Sequence, residues 1–306
     1  CPDSPASGNG YNMPKAIDEL SNGDLIILTE SKVWKLAVDM TRTELAANTN
    51  GIYESIAVDA SDTIYLVGYD SSRSDAGIVH KITPGGQQTT VNDAVGNFLI
   101  AACLDRARNS LYVIQKGNFD HKIFKADLPS TTFTEIYADT TVGSNKGIDS
   151  CLVEDDGTIL FTQEDYLYRL NSDTGTKSSS LAHIPNGVDI AKTPNGDLYV
   201  LGRESTQVMH RLIPNGNSYT VEEYINHCLN GHSPANSLSL YGADAQKGLG
   251  GTEYPCSLGE THGSSFSYKM VYSESRNLVI FASKNKLSSI TVPKQYTFAY
   301  GPVLDG

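Results

Sequence analysis

Oxygen donors suited to a hard cation recur in this sequence at what looks like one repeated place. Ala16-Ile17-Asp18, Gly147-Ile148-Asp149 and Gly187-Val188-Asp189 each set an acid directly after an apolar residue, and Glu54, Asn145 and Asn186 lie just upstream of comparable segments. Ca²⁺ takes roughly six to eight oxygen ligands from carboxylates and amides. Asn186, Asp189, Asp149, Asp18 and Glu54 are therefore the candidate divalent-metal set, with Ca²⁺ as the expected ion. The competing reading is structural: an aspartate on a strand can instead accept hydrogen bonds from the amides of the strand beside it.

Other chemistry is less well supplied. No Gly-x-Ser-x-Gly element, P-loop or Gly-x-Gly-x-x-Gly turn is present, so neither an activated serine nor a nucleotide cofactor is indicated. His227, Cys228, His232, Cys256 and His262 have no spacing that suits tetrahedral zinc. Cys228 and Cys256 instead read as a disulfide closing a long Gly-rich loop. Cys103 and Cys151 could form a second bridge or remain two buried thiols. Cys1 is the fifth cysteine, and an N-terminal cysteine is where an exported lipoprotein carries its lipid. A formal charge of −12 argues against nucleic acid and anionic membrane as partners.

What must position these residues is a repeat. Val33-Trp34-Lys35-Leu36, Val79-His80-Lys81-Ile82, Ile123-Phe124-Lys125-Ala126, Leu167-Tyr168-Arg169-Leu170 and Met209-His210-Arg211-Leu212 start 46, 44, 44 and 42 residues apart. Each copy follows a second apolar run, such as Leu25-Ile26-Ile27 or Leu198-Tyr199-Val200, which is itself preceded by a polar turn such as Ser-Asn-Gly-Asp. Asn-Gly supplies positive φ cheaply, so each pair of runs reads as a hairpin. A strand before each turn ("KAIDEL", "ESIAVD", "GVDIAK") and one after each copy ("TELAAN", "QTTVND") complete units of four antiparallel strands. Units of this length and composition are propeller blades. The expected fold is all-β: a six-bladed β-propeller over residues 14–306, after a tether at 1–13, with an insertion at about 226–263 and a sixth unit after residue 264. The Trp34, His80, Phe124, Tyr168 and His210 positions are expected to pack between blades, and the adjoining bases to pair with acids of the neighbouring blade.

Through "IAVDASDTIYLVGYD", "VHKITPGG" and "NGVDIAKTPNGDLYVLGRE" the chain resembles six-bladed propellers of the NHL-repeat and SMP-30/gluconolactonase type. The resemblance implies a divalent metal held on inner strands by a Glu, two Asn and an Asp. Asn186 matches the family's Asn-Gly element, whereas its Asp-Gly-Met and Asn-Asp-Gly-Lys elements have no counterpart here.

The expected function is an exported binding or scaffolding module that recognises an extracellular small molecule, glycan or protein at the central channel rim. Asn145, His262, His232 and Tyr254 are the expected rim contacts, and the only membrane link expected is a lipid on Cys1. A metal-dependent hydrolase or lactonase is the alternative, and structural self-assembly at the cell surface a third. Peptide mapping of unreduced, alkylated protein is expected to recover Cys228 linked to Cys256. Recovery of both as alkylated free thiols overturns that pairing.

Overall fold

The computed structural model describes residues 14–39, 41–47, 51–117, 120–141, 147–185, 187–202, 208–226, 237–239, 269–283 and 286–291. The first sheet comprises β1–β4 (Pro14–Glu19, Leu25–Thr29, Lys32–Leu36, Arg42–Ala47) and the second β5–β8 (Ile52–Val58, Ile64–Asp70, Ala76–Ile82, Gln88–Asn92). Then come β9–β12 (Leu99–Asp105, Ser110–Lys116, His121–Asp127, Thr134–Asp139) and β13–β16 (Ile148–Val153, Ile159–Gln163, Tyr166–Leu170, Ala182–His183). The fifth sheet is β17–β20 (Gly187–Lys192, Leu198–Gly202, Val208–Asn215, Ser218–Asn226). In each of these five, four consecutive strands pair antiparallel in chain order, which is the blade of a propeller.

The remaining sheet is built differently. It contains β21 (Ser237–Ser239), β22 (Met270–Ser273), β23 (Leu278–Ser283) and β24 (Lys286–Thr291), in the spatial order β21-β24-β23-β22. The expected count of six like units is thus corrected to five blades of the repeating kind. In the last sheet the outer place beside β24 is taken by a strand from the inserted region instead of one that follows β24 in sequence. A strand needs only a free edge to pair with, so a segment supplied from earlier in the chain satisfies the same backbone groups.

The second strand of each blade explains the continuous apolar runs. Leu25–Thr29, Ile159–Gln163 and Leu198–Gly202 are buried at every residue, because both faces of each sheet are covered by neighbouring sheets. The hydrophobic clusters accordingly sit between sheets. One joins Ala16, Ile26 and Leu28 to Ile56, Leu66 and Ile78, and another joins Ala101, Tyr112 and Ile114 to Ile148, Ile159 and Phe161. Trp34, Phe124 and Tyr168 lie against such seams, as expected of a repeated aromatic position. Four of the five bases beside them pair with acids of their own sheets and not with those of a neighbouring blade, although Arg169 also donates to the Tyr219 hydroxyl of the fifth blade at 3.4 Å. Lys35 meets Asp24, Lys125 meets Asp127, Arg169 meets Glu154 at 2.7 Å and Arg211 meets Asp197, all within their own sheets. Asp24, Glu154 and Asp197 come from the hairpin between first and second strands and Asp127 from the base's own strand, while apolar residues occupy the seam.

The hairpin between first and second strands contains a left-handed residue in every sheet. Gly23, Asp62, Asn109, Gly157, Gly196 and Asn277 all take positive φ there. Glycine is strain-free in that conformation and Asn or Asp tolerates it, so the turn persists where glycine is missing. In the first sheet Asn22 Oδ1 accepts from the Asp24 N–H at 3.0 Å, and the pattern recurs at Asn195 and Asp197.

The inner strands β1, β5, β9, β13 and β17 neighbour one another in that order, and β22 lies against both β17 and β1. The chain is thereby closed on itself through the turn after β22. Glu19, 7% exposed, accepts from Ser273 Oγ at 2.7 Å, Ser275 Oγ at 2.7 Å and the Glu274 N–H at 2.9 Å, with the Arg276 guanidinium 3.5 Å away. Arg276 also donates to the Gly23 carbonyl. Glu19→Ala would strip the buried Ser273 hydroxyl and two further donors, the Glu274 N–H and the Ser275 hydroxyl, of their acceptor. It is expected to lower stability by about 2–4 kcal/mol in urea unfolding, and wild-type stability in this variant would show that the seam closes by apolar contact alone.

Candidate functional site

The inner strands surround a cavity of about 350 Å³ that includes Asp18, Asp189, Arg106, Lys192, Lys269 and Tyr272 in its lining. Their depth along it is set by cross-strand register. Each of the five blades has a bulge near the start of its inner strand: Lys15, Glu54, Ile100, Asp149 and Val188 are the residues skipped by the ladder. A bulge residue is re-aimed out of the regular alternation, so these five define a rim layer.

Register then separates acids that the sequence places alike. Ser150 pairs with Thr162, and Asp189 pairs with Leu201, the equivalent residue of the next blade. Asp189 is therefore the counterpart of Ser150, one step below the rim residue Asp149. Asp18 pairs with Ile26 and is the counterpart of Ala57 and Cys103, three steps below the rim. The expectation that Asp18, Asp149 and Asp189 occupy a matching place is thus corrected. At about 3.3 Å per residue, Asp18 lies about 10 Å along the strand direction from the layer of Glu54 and Asp149. Ligand oxygens around one Ca²⁺ are within about 5 Å of each other.

Each of these acids is also committed to a protein partner. Glu54 is bridged by Lys15 at 2.7 Å across the first and second blades, and Asp149 by Lys116 at 2.7 Å across the third and fourth. Asp18 accepts from the Val58 N–H at 2.7 Å and the Glu19 N–H at 2.8 Å, with Arg106 Nη2 at 3.5 Å. Asp189 accepts from Ser150 Oγ at 2.7 Å and from the Met270 N–H, with Lys269 Nζ at 3.7 Å. Asp18 and Asp189 thus take the structural alternative, binding the amide of the next sheet. The described carboxylates do not fit a single divalent cation, and among the described residues no three His, Cys, Asp or Glu side chains converge.

Burial pushes the Asp18 carboxyl up from its ordinary 3.8 to about 6, against the opposing pull of Arg106 and the two N–H donors. Burial likewise raises Asp189, with Lys269, Met270 and Ser150 pulling the other way. Arg106 reaches over from the third blade to donate to the carbonyls of Val58 and Glu19, each at 3.0 Å. It thereby ties three sheets together at the end of the cavity opposite the rim.

Cys103 and Cys151 form a disulfide between β9 and β13, with Cα atoms 5.6 Å apart, in the cavity wall. Their one-step difference in register still leaves the strands close enough for bridging. Asn186, Asn145, His232, Tyr254, His262, Cys228, Cys256 and Cys1 lie outside the described residues. The cations Lys15, Lys116, Lys269 and Arg106 were not singled out from sequence. A signal existed in "PKAID" and "SYKMV", where a lysine stands directly before the strand residue that enters the cavity.

No protein-family model matches the sequence, and the search of curated proteins found no match. Solved structures do resemble it. An auxiliary nutrient binding protein from Bacteroides thetaiotaomicron VPI-5482 superposes with a TM-score of 0.62 at 12% identity, covering 92% of this chain and 69% of that one. A putative gluconolactonase gives a TM-score of 0.61 at 10% identity over 94% of this chain and 93% of its own. A gluconolactonase from Xanthomonas campestris gives 0.60 at 10% identity, covering 92% and 88%. At such identities the likeness shows the propeller fold alone.

The raised Asp18 has a measurable consequence. Because the folded chain holds this proton to higher pH than the unfolded chain, ionisation opposes folding. The contribution of Asp18 is fully present below pH 3.8 and is lost as pH rises through about 6. Asp18→Asn cannot ionise, so wild-type stability is expected to fall relative to the variant across that window by on the order of 1–2 kcal/mol. Parallel stability profiles for the two proteins between pH 4 and pH 7 would overturn the assignment.

Proposed function

We propose that the chain is an exported binding module whose ligand, an extracellular small molecule, glycan or protein, is recognised at the rim of the central channel. The ring is six-bladed in this reading, the sheet of β21–β24 serving as a remodelled last blade; the position of β22 between β17 and β1 supports that count. The observation that carries the binding reading is the internal pairing of the channel's charges. Glu54, Asp149, Asp18 and Asp189 are each held by a lysine, an arginine, a hydroxyl or an N–H of the protein itself. Asp18 and Asp189, together with Arg106, Lys192 and Lys269, give the cavity of about 350 Å³ a preformed polar lining, and its volume is within the range of small-molecule sites. An extracellular setting is supported by the Cys103–Cys151 bridge, since disulfides persist in oxidising compartments, and attachment through a lipid on Cys1 belongs to the same reading. The nutrient-binding neighbour shares the fold and is consistent with recognition as the task.

One observation favours the alternative, a hydrolase. With its pKa pushed up to about 6, Asp18 lines the cavity as a carboxyl able to give and take a proton near neutral pH. The gluconolactonase neighbours match almost the whole chain in fold. Calorimetric titration with a saccharide panel, before and after chelator treatment, together with a lactone hydrolysis assay, separates the two. Saturable binding indifferent to chelator, without lactone turnover, is expected. Lactone turnover abolished by Asp18→Asn would replace the binding reading with the hydrolase.

A further inference from the structure

Resting on that reading, we infer that the rim takes a neutral pyranose sugar, stacked on the exposed face of Phe98. Phe98 stands one residue before β9 and two before the rim bulge Ile100, at the rim end of the seam between the second and third blades. It is 37% exposed, one of two large apolar side chains so exposed among the described residues.

Its backbone is the more telling feature. Phe98 has φ of 49°, the left-handed region that costs a non-glycine residue roughly 1–2 kcal/mol. A bulky aromatic in that conformation persists only where its surroundings over-determine it. Here the Phe98 N–H donates to the Asp75 carbonyl at 2.8 Å, and the Phe98 carbonyl accepts from the Lys116 N–H at 3.1 Å. The Asn97 N–H donates to Gln115 Oε1 at 2.9 Å, and Gly96 packs so tightly on Gln115 and Phe124 that a side chain there would collide with both. The ring is stacked on Tyr69, with centroids 4.2 Å apart and planes 19° from parallel. One face is covered by Tyr69 while the side chain keeps 37% of its surface exposed, which makes it a fixed aromatic platform beside the rim.

Its surroundings select the ligand. Lys116, whose N–H holds Phe98, carries its ammonium to Asp149 at 2.7 Å, and Glu54, close enough to Tyr69 for its charge to act on the phenol, is paired with Lys15 at 2.7 Å. Donors and acceptors are both available, and each of these two ion pairs is internally neutral, while Asp75 adds an acid whose charge reaches Tyr69. That disfavours an anion, and the polar groups of the ion pairs suit a hydroxyl-rich ligand. Burial, then the charges of Glu54 and Asp75, push the Tyr69 phenol up, so it stays a hydrogen-bond donor at neutral pH. A β-linked glucopyranose, with its hydroxyls equatorial, offers an apolar C–H face to the ring and an edge of hydroxyls to the ion pairs.

Cellotetraose titrated calorimetrically into the full chain is the probe, with Phe98→Gly and Phe98→Tyr as variants. Glycine suits the observed φ, so Phe98→Gly is expected to keep or raise the melting temperature while weakening cellotetraose roughly tenfold or more. Phe98→Tyr, which retains the ring, is expected to bind within about threefold of wild type. Wild-type cellotetraose binding unchanged in Phe98→Gly would overturn the platform and leave recognition at the rim standing. Tight binding of tetramethylammonium in place of cellotetraose would overturn the sugar assignment. Absence of saturable binding by any saccharide in the wild type would overturn the sugar platform and leave recognition of a protein or another small molecule at the rim standing.

Discussion

A sheet with two apolar faces has no stable place except between two other sheets, and this constraint organises the whole molecule. The buried second strands Leu25–Thr29, Ile159–Gln163 and Leu198–Gly202 would expose one face if any blade stood at the end of a row. Bending the row into a circle removes both ends. The last seam then carries a burden that the others do not, since it must hold parts of the chain more than 250 residues apart in sequence. Apolar contact there is modest, with Ile280 of the last sheet meeting Ile17, Leu25 and Ile27 of the first. The carboxylate of Glu19 supplements it with directed hydrogen bonds to Ser273, Glu274 and Ser275.

The same geometry explains why the channel's charges come in pairs. Inner strands lie side by side, so a lysine at one bulge faces an acid at the next, as Lys15 faces Glu54. At this depth an unpaired charge would be costly, and pairing it across a seam also ties the blades together. Lys116–Asp149 and Lys269–Asp189 link further seams, and Ser150 Oγ connects the fourth blade to the fifth through Asp189. The seam between the second and third blades departs from this pattern at the rim, where Tyr69 and Phe98 stack. A site that breaks the local rule at a conformational cost is where recognition is most economically placed.

How well the sequence could be read depended on the range of the interaction concerned. The repeat of hairpins was legible because each depends on residues within one unit: an αL position at Gly23 or Asn109, and an apolar run after it. The aromatic positions of Trp34, Phe124 and Tyr168 were legible as seam residues for a related reason, that a repeated position has a repeated neighbour. The candidate site was legible in part. Asp18 and Asp189 do line the cavity, and Cys103 and Cys151 do meet in its wall. Their relative depths were not legible, because "GID" and "GVD" are alike as text while the bulge falls on Asp149 in one and on Val188 in the other. One residue of slip changes the layer and the facing side chain together.

Sequence by itself determined the units: four strands, their turns, and which faces must be covered, all consequences of local conformational preference and of the period of apolar residues. Tertiary structure decided what the units become together. It placed β21 beside β24, closed the circle at Glu19, and paired each channel acid with a lysine, hydroxyl or amide from another sheet. It also left Phe98 exposed beside the rim, stacked on Tyr69. These outcomes depend on contacts between residues about 30 to more than 250 positions apart, for which one chain carries no local signal.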